Sequence, residues 1–298
     1  MPSFAILEDR GVLAVAGLER RSFLQGLISN DSERLGPAEV RYAALLTAQG
    51  RYLHDFLLAE ASETLWLDCE KARLADLKRR LSLYRLRAKV ALDERADLAV
   101  AAVFGEGACA ALGLPADPGA AAPFADGLAL SDPRLLALGA RVLLPREALA
   151  AALAARGIAE ADFAAYDRLR LAEGVPDGSR DLIPEKSLLL ESGFDELNGI
   201  DWQKGCYIGQ ELTARTKYRG LVKRRLFPVR IDGPTPQPGT PVLAEGREVG
   251  EMRSAREGLG LALLRLDAAA ANTPLAAGAA TLIPSRPDWM RLDGDPPA

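Results

Sequence analysis

The chain has 298 residues, of which 49% are hydrophobic and 26% charged. That length buries a sizeable core and leaves room for two or three domains. A net charge of −4 argues against a general nucleic-acid binder. Three scattered cysteines without a Cys-x-x-Cys pair exclude a disulfide framework, and with one histidine they make no convincing zinc or cluster site.

Ser3 to Leu7 and Gly11 to Ala16 read as strands, followed by a helix from Leu18 to Ile28 with Phe23, Leu24 and Leu27 on one face. Arg41 to Thr47 and Arg51 to Ala59 form a hairpin pattern around Gly50, and Thr64 to Cys69 is a further strand. Leu74, Leu77, Leu81 and Tyr84 recur at helical spacing. Strands at Lys89 to Leu92 and Leu98 to Phe104 precede a short helix at Ala108 to Leu112 and a loose stretch from Gly113 to Gly127. Two strands then bracket Asp132-Pro133, and helices follow at Arg146 to Arg156 and Ala161 to Glu173. Asp177 to Asn198 reads as ordered loop, and Gln210 to Thr216 as a short helix. From Lys223 onward, short β segments punctuated by Pro and Gly predict a small barrel, with a boundary near 221–224 and a frayed tail after Asp293. The strand–helix–strand–strand–helix–strand order of 64–145 is ferredoxin-like.

No apolar run reaches the roughly 18 residues of a membrane span, and Met1 to Leu7 has neither signal-peptide nor transit-peptide character. With the unpaired cysteines, this leads us to expect a cytoplasmic protein that avoids membranes. Gly105-Glu106-Gly107-Ala108-Cys109-Ala110 matches a dinucleotide fingerprint, but its helix is too short for a βαβ crossover. No Gly-x-Ser-x-Gly is present, and a Cys206–His54 pair would need a long-range contact.

The densest chemistry lies in Lys204-Gly205-Cys206-Tyr207-Ile208-Gly209-Gln210-Glu211. Two glycines imply unusual backbone angles or a close approach. A neighbouring ammonium and helix-start amides favour thiolate over thiol at Cys206. Gln210 and Glu211 are expected to fix the loop by hydrogen bonds. Nearby, Arg215, Lys217, Arg219, Lys223, Arg224 and Arg225 form a basic run that is either a solvated face or a receptor for an anionic tail or acidic partner.

This octet resembles the signature of the YgfZ family, folate-binding proteins of iron–sulfur cluster maintenance built on the fold of the glycine cleavage T-protein. Three weaker blocks agree in order: Phe23-Leu24-Gln25-Gly26-Leu27-Ile28-Ser29-Asn30-Asp31, Gly50-Arg51-Tyr52-Leu53-His54-Asp55-Phe56, and Arg168 to Pro176. The resemblance implies an α+β, T-protein-like three-domain architecture. Its domains would be a discontinuous folate-binding domain at 1–45 plus 146–222, a ferredoxin-like domain at 46–145 and a C-terminal β-barrel at 223–298. It also implies that tetrahydrofolate or a derivative binds, with Asp55 near its reactive end and Cys206, activated by Lys204, carrying the thiol chemistry. The family's clients include tRNA-modifying enzymes, so iron–sulfur client or assembly proteins are the expected partners. No stable nucleic-acid binding is expected, and a monomer is. Candidate folate contacts are Asn30, Asp31, Tyr42, Asp55, Glu191, Trp202, Arg215 and Lys217. A pterin needs flat walls and an acid or amide at its edge, and the glutamate tail needs a cation. The T-protein hairpin usually carries two adjacent acids where this chain has His54-Asp55, which weakens the case for aminomethyl transfer. An accessory factor is expected over a turnover enzyme, and the alternative is a folate-dependent aminomethyltransferase.

Overall fold

A computed structural model describes residues 1–271 and 273–292. In chain order the elements are β1 (Ser3–Ile6), β2 (Arg10–Ala16), α1 (Arg20–Gln25), β3 (Val40–Leu46), β4 (Tyr52–Ala61), β5 (Thr64–Glu70), α2 (Leu74–Arg85), β6 (Ala91–Glu94), β7 (Leu98–Phe104), α3 (Ala108–Ala111), β8 (Ala121–Phe124), β9 (Gly127–Ser131), β10 (Ala140–Pro145), α4 (Arg146–Ala154), β11 (Ala159–Glu160) and α5 (Phe163–Ala172). After an irregular stretch come α6 (Gln210–Tyr218), β12 (Arg224–Asp232), β13 (Pro241–Ala244), β14 (Arg247–Arg256), β15 (Leu259–Arg265), α7 (Leu266–Ala270), β16 (Leu275–Ala277) and β17 (Ala280–Pro284). The expected frayed tail lies outside the described residues.

The chain divides into two compact units. The first comprises Met1–Thr47, Leu53–Tyr166 and Leu197–Ile208, and the second Ala48–Tyr52, Asp167–Glu196 and the described residues from Gly209 onward.

The first unit holds two sheets. One is five-stranded in the order β3-β4-β5-β2-β6, and the other six-stranded in the order β11-β1-β7-β10-β9-β8. Leu13, Val15, Leu45, Phe56, Leu58, Leu65 and Leu67 of the first sheet close over α1 through Leu24 and over α2 through Leu74, Leu77 and Leu81. The helical spacing of those three leucines thus becomes one buried stripe, whereas Tyr84, the fourth member expected on it, is 46% exposed. The second sheet packs Val103, Val142 and Leu144 with Leu149 and Leu153 of α4. The element order read over 64–145 is present, but its strands are shared between the two sheets. Their partners β1, β2 and β4 come from outside that segment, through pairings such as Ser3↔Phe104, Arg10↔Glu70 and Phe56↔Cys69. Such long-range pairs leave no local trace in sequence.

Two boundaries move for steric reasons. The helix expected from Leu18 starts at Arg20, because Gly17 turns the chain at φ +110 with a Cβ position only 2.1 Å from Lys89 O. It stops early because Ile28 bridges to Leu45 as strand. Within the loose Ala/Pro/Gly stretch, β8 forms a hairpin with β9. The helix after the Gly105–Ala110 fingerprint is only α3, four residues long.

In the second unit, β12-β15-β14-β13-β16-β17 close into a barrel. Phe227, Val229, Val242, Met252, Ala262, Leu264 and Leu282 fill it. Against β14 lies a buried ionic cluster: Arg170 binds Asp167 and Asp181, Ser254 donates to Asp181, and Arg256 pairs with Asp167 at 2.6 Å. No helix among the described residues is long and apolar enough to cross a membrane.

Candidate functional site

The irregular loop 198–204 is tied to the segment leaving α1. Ser29 Oγ donates to Gly199 O at 2.6 Å, and Asp201 N donates to Ser29 O. Asn30 Nδ2 donates to both Tyr42 O and Asn198 O at 2.8 Å, and its Oδ1 accepts Asp31 N. With every polar atom occupied, Asn30 is a clamp joining β3 to the loop. Asp31 binds the Arg34 amide and guanidinium. Burial alone would raise its pKa, but those Arg34 contacts outweigh it and hold the carboxyl below its usual range. Arg34 reaches on to Asp201, whose other oxygen accepts Gln203 N and Lys204 N in an Asx-type turn.

Lys204 is buried. Its ammonium donates to Ile28 O and Asn30 O, each at 2.7 Å, and sits 5.2 Å over the Tyr207 ring. Burial pulls its pKa down to about 8, still above neutrality. Lys204 therefore anchors the loop, and its charge is committed to carbonyls. Cys206 is exposed, and among the described residues its sulfur makes no hydrogen bond. Cys69 is fully buried and Cys109 half-buried, so the octet holds the open thiol.

The other octet residues divide. Gly209 caps α6 at φ +84, an angle that favours glycine. Gly205 meets no atom within 4 Å of its Cβ position, so the expected close backbone approach is not found there. Tyr207 is buried. Glu211 pairs with Arg215 one helical turn on, and Gln210 makes no side-chain hydrogen bond among the described residues, so neither fixes the loop as expected.

A pocket of about 470 Å³ opens beside this loop. Asn30, Arg41, Tyr42, Pro133, Asp201 and Trp202 are among its lining residues. Its size falls in the range of about 300–1,000 Å³ usual for small-molecule sites. Three sequence candidates, Asn30, Tyr42 and Trp202, thus come together. Arg41 and Asp201 are additions that sequence reading passed over, although both adjoin named candidates in sequence. Cys206 does not line the pocket.

Asp55 stands behind it. Tyr42 donates its hydroxyl to Asp55 Oδ2 at 3.0 Å, and both are buried. Burial, reinforced by the Asp55 charge, pushes the Tyr42 phenol well above its ordinary pKa and keeps it a neutral donor. Arg134 lies 5.5 Å over the Tyr42 ring. His54, one position earlier on β4, faces the other way, as alternate strand positions must. Its Nε2 is 3.0 Å from Asp76 Oδ2 on α2. Burial, and then the Arg73 charge, lower its pKa to about 4, so it is a neutral donor to an ionised Asp76. This engagement leaves no Cys206–His54 couple. On β4, His54 thus serves the α2 face and Asp55 the Tyr42 face.

Glu191, Arg215 and Lys217 lie in the second unit. There Glu191 accepts Arg224 at 3.3 Å, Arg215 pairs with Glu211, and Lys217 donates to Asp195 at 2.7 Å. Among the described residues, no group of three or more His, Cys, Asp or Glu side chains is placed to hold a metal.

The fold resembles the crystal structure of glycine cleavage system aminomethyltransferase T from Bartonella henselae, with a TM-score of 0.78 at 17% identity over 97% of this chain and 86% of that one. Residues 223–292 match the C-terminal β-barrel domain of CAF17. These matches establish the class: a mixed α+β protein on the aminomethyltransferase T fold with a closed C-terminal barrel. Over 278 residues the chain is 39% identical to the mitochondrial iron–sulfur cluster assembly factor IBA57 of Homo sapiens, spanning 87% of this chain and 76% of that protein. The Mus musculus counterpart is 35% identical with the same coverage, and the homologue from Coccidioides immitis 32% identical over 88% of this chain and 71% of its own length. The chain belongs to the IBA57 family. The cytoplasmic placement expected from sequence is thereby corrected, since these relatives are mitochondrial. Unpaired cysteines distinguish reducing from oxidising surroundings and carry no address within the cell.

Proposed function

We propose that this protein is an iron–sulfur cluster assembly factor of the YgfZ type that binds tetrahydrofolate or a derivative. In this reading Cys206 acts on a cluster, a persulfide or a partner thiol. The observation that carries it is the exposed Cys206 sulfur, on a loop locked by Lys204 and Asp201, in a chain whose relatives are iron–sulfur cluster assembly factors. Folate would lie against Trp202 and Pro133, with its carboxylates toward Arg41, whose guanidinium also pairs with Glu39 at 3.1 Å, and with Asn30 holding the wall in place. When bound it supplies a carrier for one-carbon groups. Asp55 positions the Tyr42 hydroxyl at the back of the site. The partners are iron–sulfur clients, tRNA-modifying enzymes among them, engaged by a monomer that binds neither nucleic acid nor membrane. The domain limits 1–45 with 146–222, 46–145 and 223–298 are part of the same proposal.

Two measurements test it. Cells carrying Cys206→Ala are expected to lose activity of cluster-dependent enzymes at unchanged protein level, and wild-type activity in them would remove the thiol role. Calorimetry is expected to give micromolar tetrahydrofolate binding that Trp202→Ala weakens by about tenfold. No heat with the wild-type protein would discard the folate site.

The alternative is aminomethyl transfer, favoured by an intact Asp55 face. It requires methylene-tetrahydrofolate to form at enzymatic rates from an aminomethylated lipoyl carrier.

A further inference from the structure

The end of α2 departs from the acidic character of the chain. Lys78 to Lys89 carries six cations and no acid, in a protein of net charge −4. Arg79 and Arg80 are spent on Asp76. Lys78, Arg85 and Arg87 have no ion pair among the described residues. Between them stand three uncovered apolar side chains: Leu83 is 66% exposed, Tyr84 46% and Leu86 89%. The residue at the helix end is itself strained. Leu86 holds φ +43 and ψ −106, a conformation that leucine rarely adopts and that glycine would accept. That strain turns a large apolar side chain outward, where it makes almost no contact in its own fold.

We propose that this end of α2 is a docking knob for an acidic protein surface. Leu83, Tyr84 and Leu86 enter an apolar socket, and Lys78, Arg85 and Arg87 meet carboxylates on its rim. Tyrosine and arginine are the side chains that concentrate binding energy at protein interfaces, and the opposite charge of the partner sets orientation and encounter rate. A flat lipid surface fits the geometry less well. A membrane-lying helix presents an apolar stripe along its length, whereas the stripe of α2, Leu74, Leu77 and Leu81, is buried in the core. What remains outside is compact and terminal, the shape of a plug. The inference is independent of any chemistry at Cys206, and either can fail alone.

The test uses the full chain and four labelled probes at about 150 mM salt, where long-range charge effects are largely screened. They are a short peptide alternating Asp or Glu with Leu and Phe, polyglutamate of equal length, phosphatidylglycerol vesicles and transfer RNA. The mixed peptide is expected to bind about tenfold tighter than polyglutamate. It should weaken at least tenfold with the triple variant Leu83→Ser, Tyr84→Ser, Leu86→Ser, and equally with Lys78→Glu, Arg85→Glu, Arg87→Glu. Leu86→Gly separates docking from folding: it is expected to raise the melting temperature while weakening the peptide. A lower melting temperature would mean that Leu86 serves its own fold, and would overturn the proposal. So would peptide binding unaffected by the triple variant, or tighter binding of vesicles or RNA through the same residues.

Discussion

Three thiols in one chain meet three different fates. Burial pushes Cys69 up to about 12 and raises Cys109 as well, whereas Cys206 stands in solvent. Native protein treated with a thiol reagent is therefore expected to modify Cys206 first, with Cys69 reacting only on unfolding. Mass spectrometry of the labelled peptides checks this, and fast native labelling of Cys69 would contradict the buried arrangement. His54 supplies a pH signature. Its pKa falls from 6.5 in the unfolded chain to about 4 in the fold, so between those values the unfolded state binds more protons. Its contribution is complete above pH 6.5 and is lost on acidification toward pH 4. The slope reaches about 1.4 kcal/mol per pH unit. Asp76, also held low, acts over a still more acidic window. Unfolding curves from pH 7 to 4.5 should show that slope, and His54→Gln should flatten it.

At the scale of elements, the glycines of the motif blocks behave unequally. Gly50 turns the hairpin at φ +70, with its Cβ position 2.8 Å from Gly209 O, and Gly209 opens α6 at φ +84. Alanine at either is expected to cost about 1–2 kcal/mol or more, read as a lower melting temperature. Gly205→Ala should leave the melting temperature unchanged, because nothing stands within 4 Å. This contrast explains how much sequence could reveal. Residue spacing exposed the three-leucine stripe of α2, the hairpin about Gly50 and the barrel strands after Lys223, since each pattern is local. It concealed β8 in an Ala-rich stretch, the pairing of β1 with β11, and the destination of the Lys204 ammonium on the carbonyls of Ile28 and Asn30, residues about 175 positions away. Of the candidate contacts, Asn30, Tyr42 and Trp202 line one pocket whereas Glu191, Arg215 and Lys217 lie in the second unit, a division that residue types in sequence could not announce. Asn30 proved to be a clamp, and Arg41 joined the wall unannounced.

For the molecule as a whole, the block Arg168 to Pro176, part of the family resemblance, turns out to carry architecture. Arg170 lies 3% exposed between Asp167 and Asp181, and Asp181 also receives Ser254 of β14. Asp181→Ala would leave a buried guanidinium short of its partner, at a cost of about 3–5 kcal/mol. Denaturant titration is expected to show the second unit melting early, with Asp181→Asn in between. A variant as stable as wild type would mean that the cluster is replaceable.

Barrel closure has a consequence for biosynthesis. The last strand, β17, pairs with the first, β12, through Val229↔Pro284 to Asp232↔Thr281. The ring cannot shut until β17 itself has left the ribosome. A nascent chain halted before Ala280 presents two raw sheet margins, β12 and β16, each able to recruit a neighbour. Stop codons just before Ala280 should therefore yield sticky, chaperone-bound products in place of working ones.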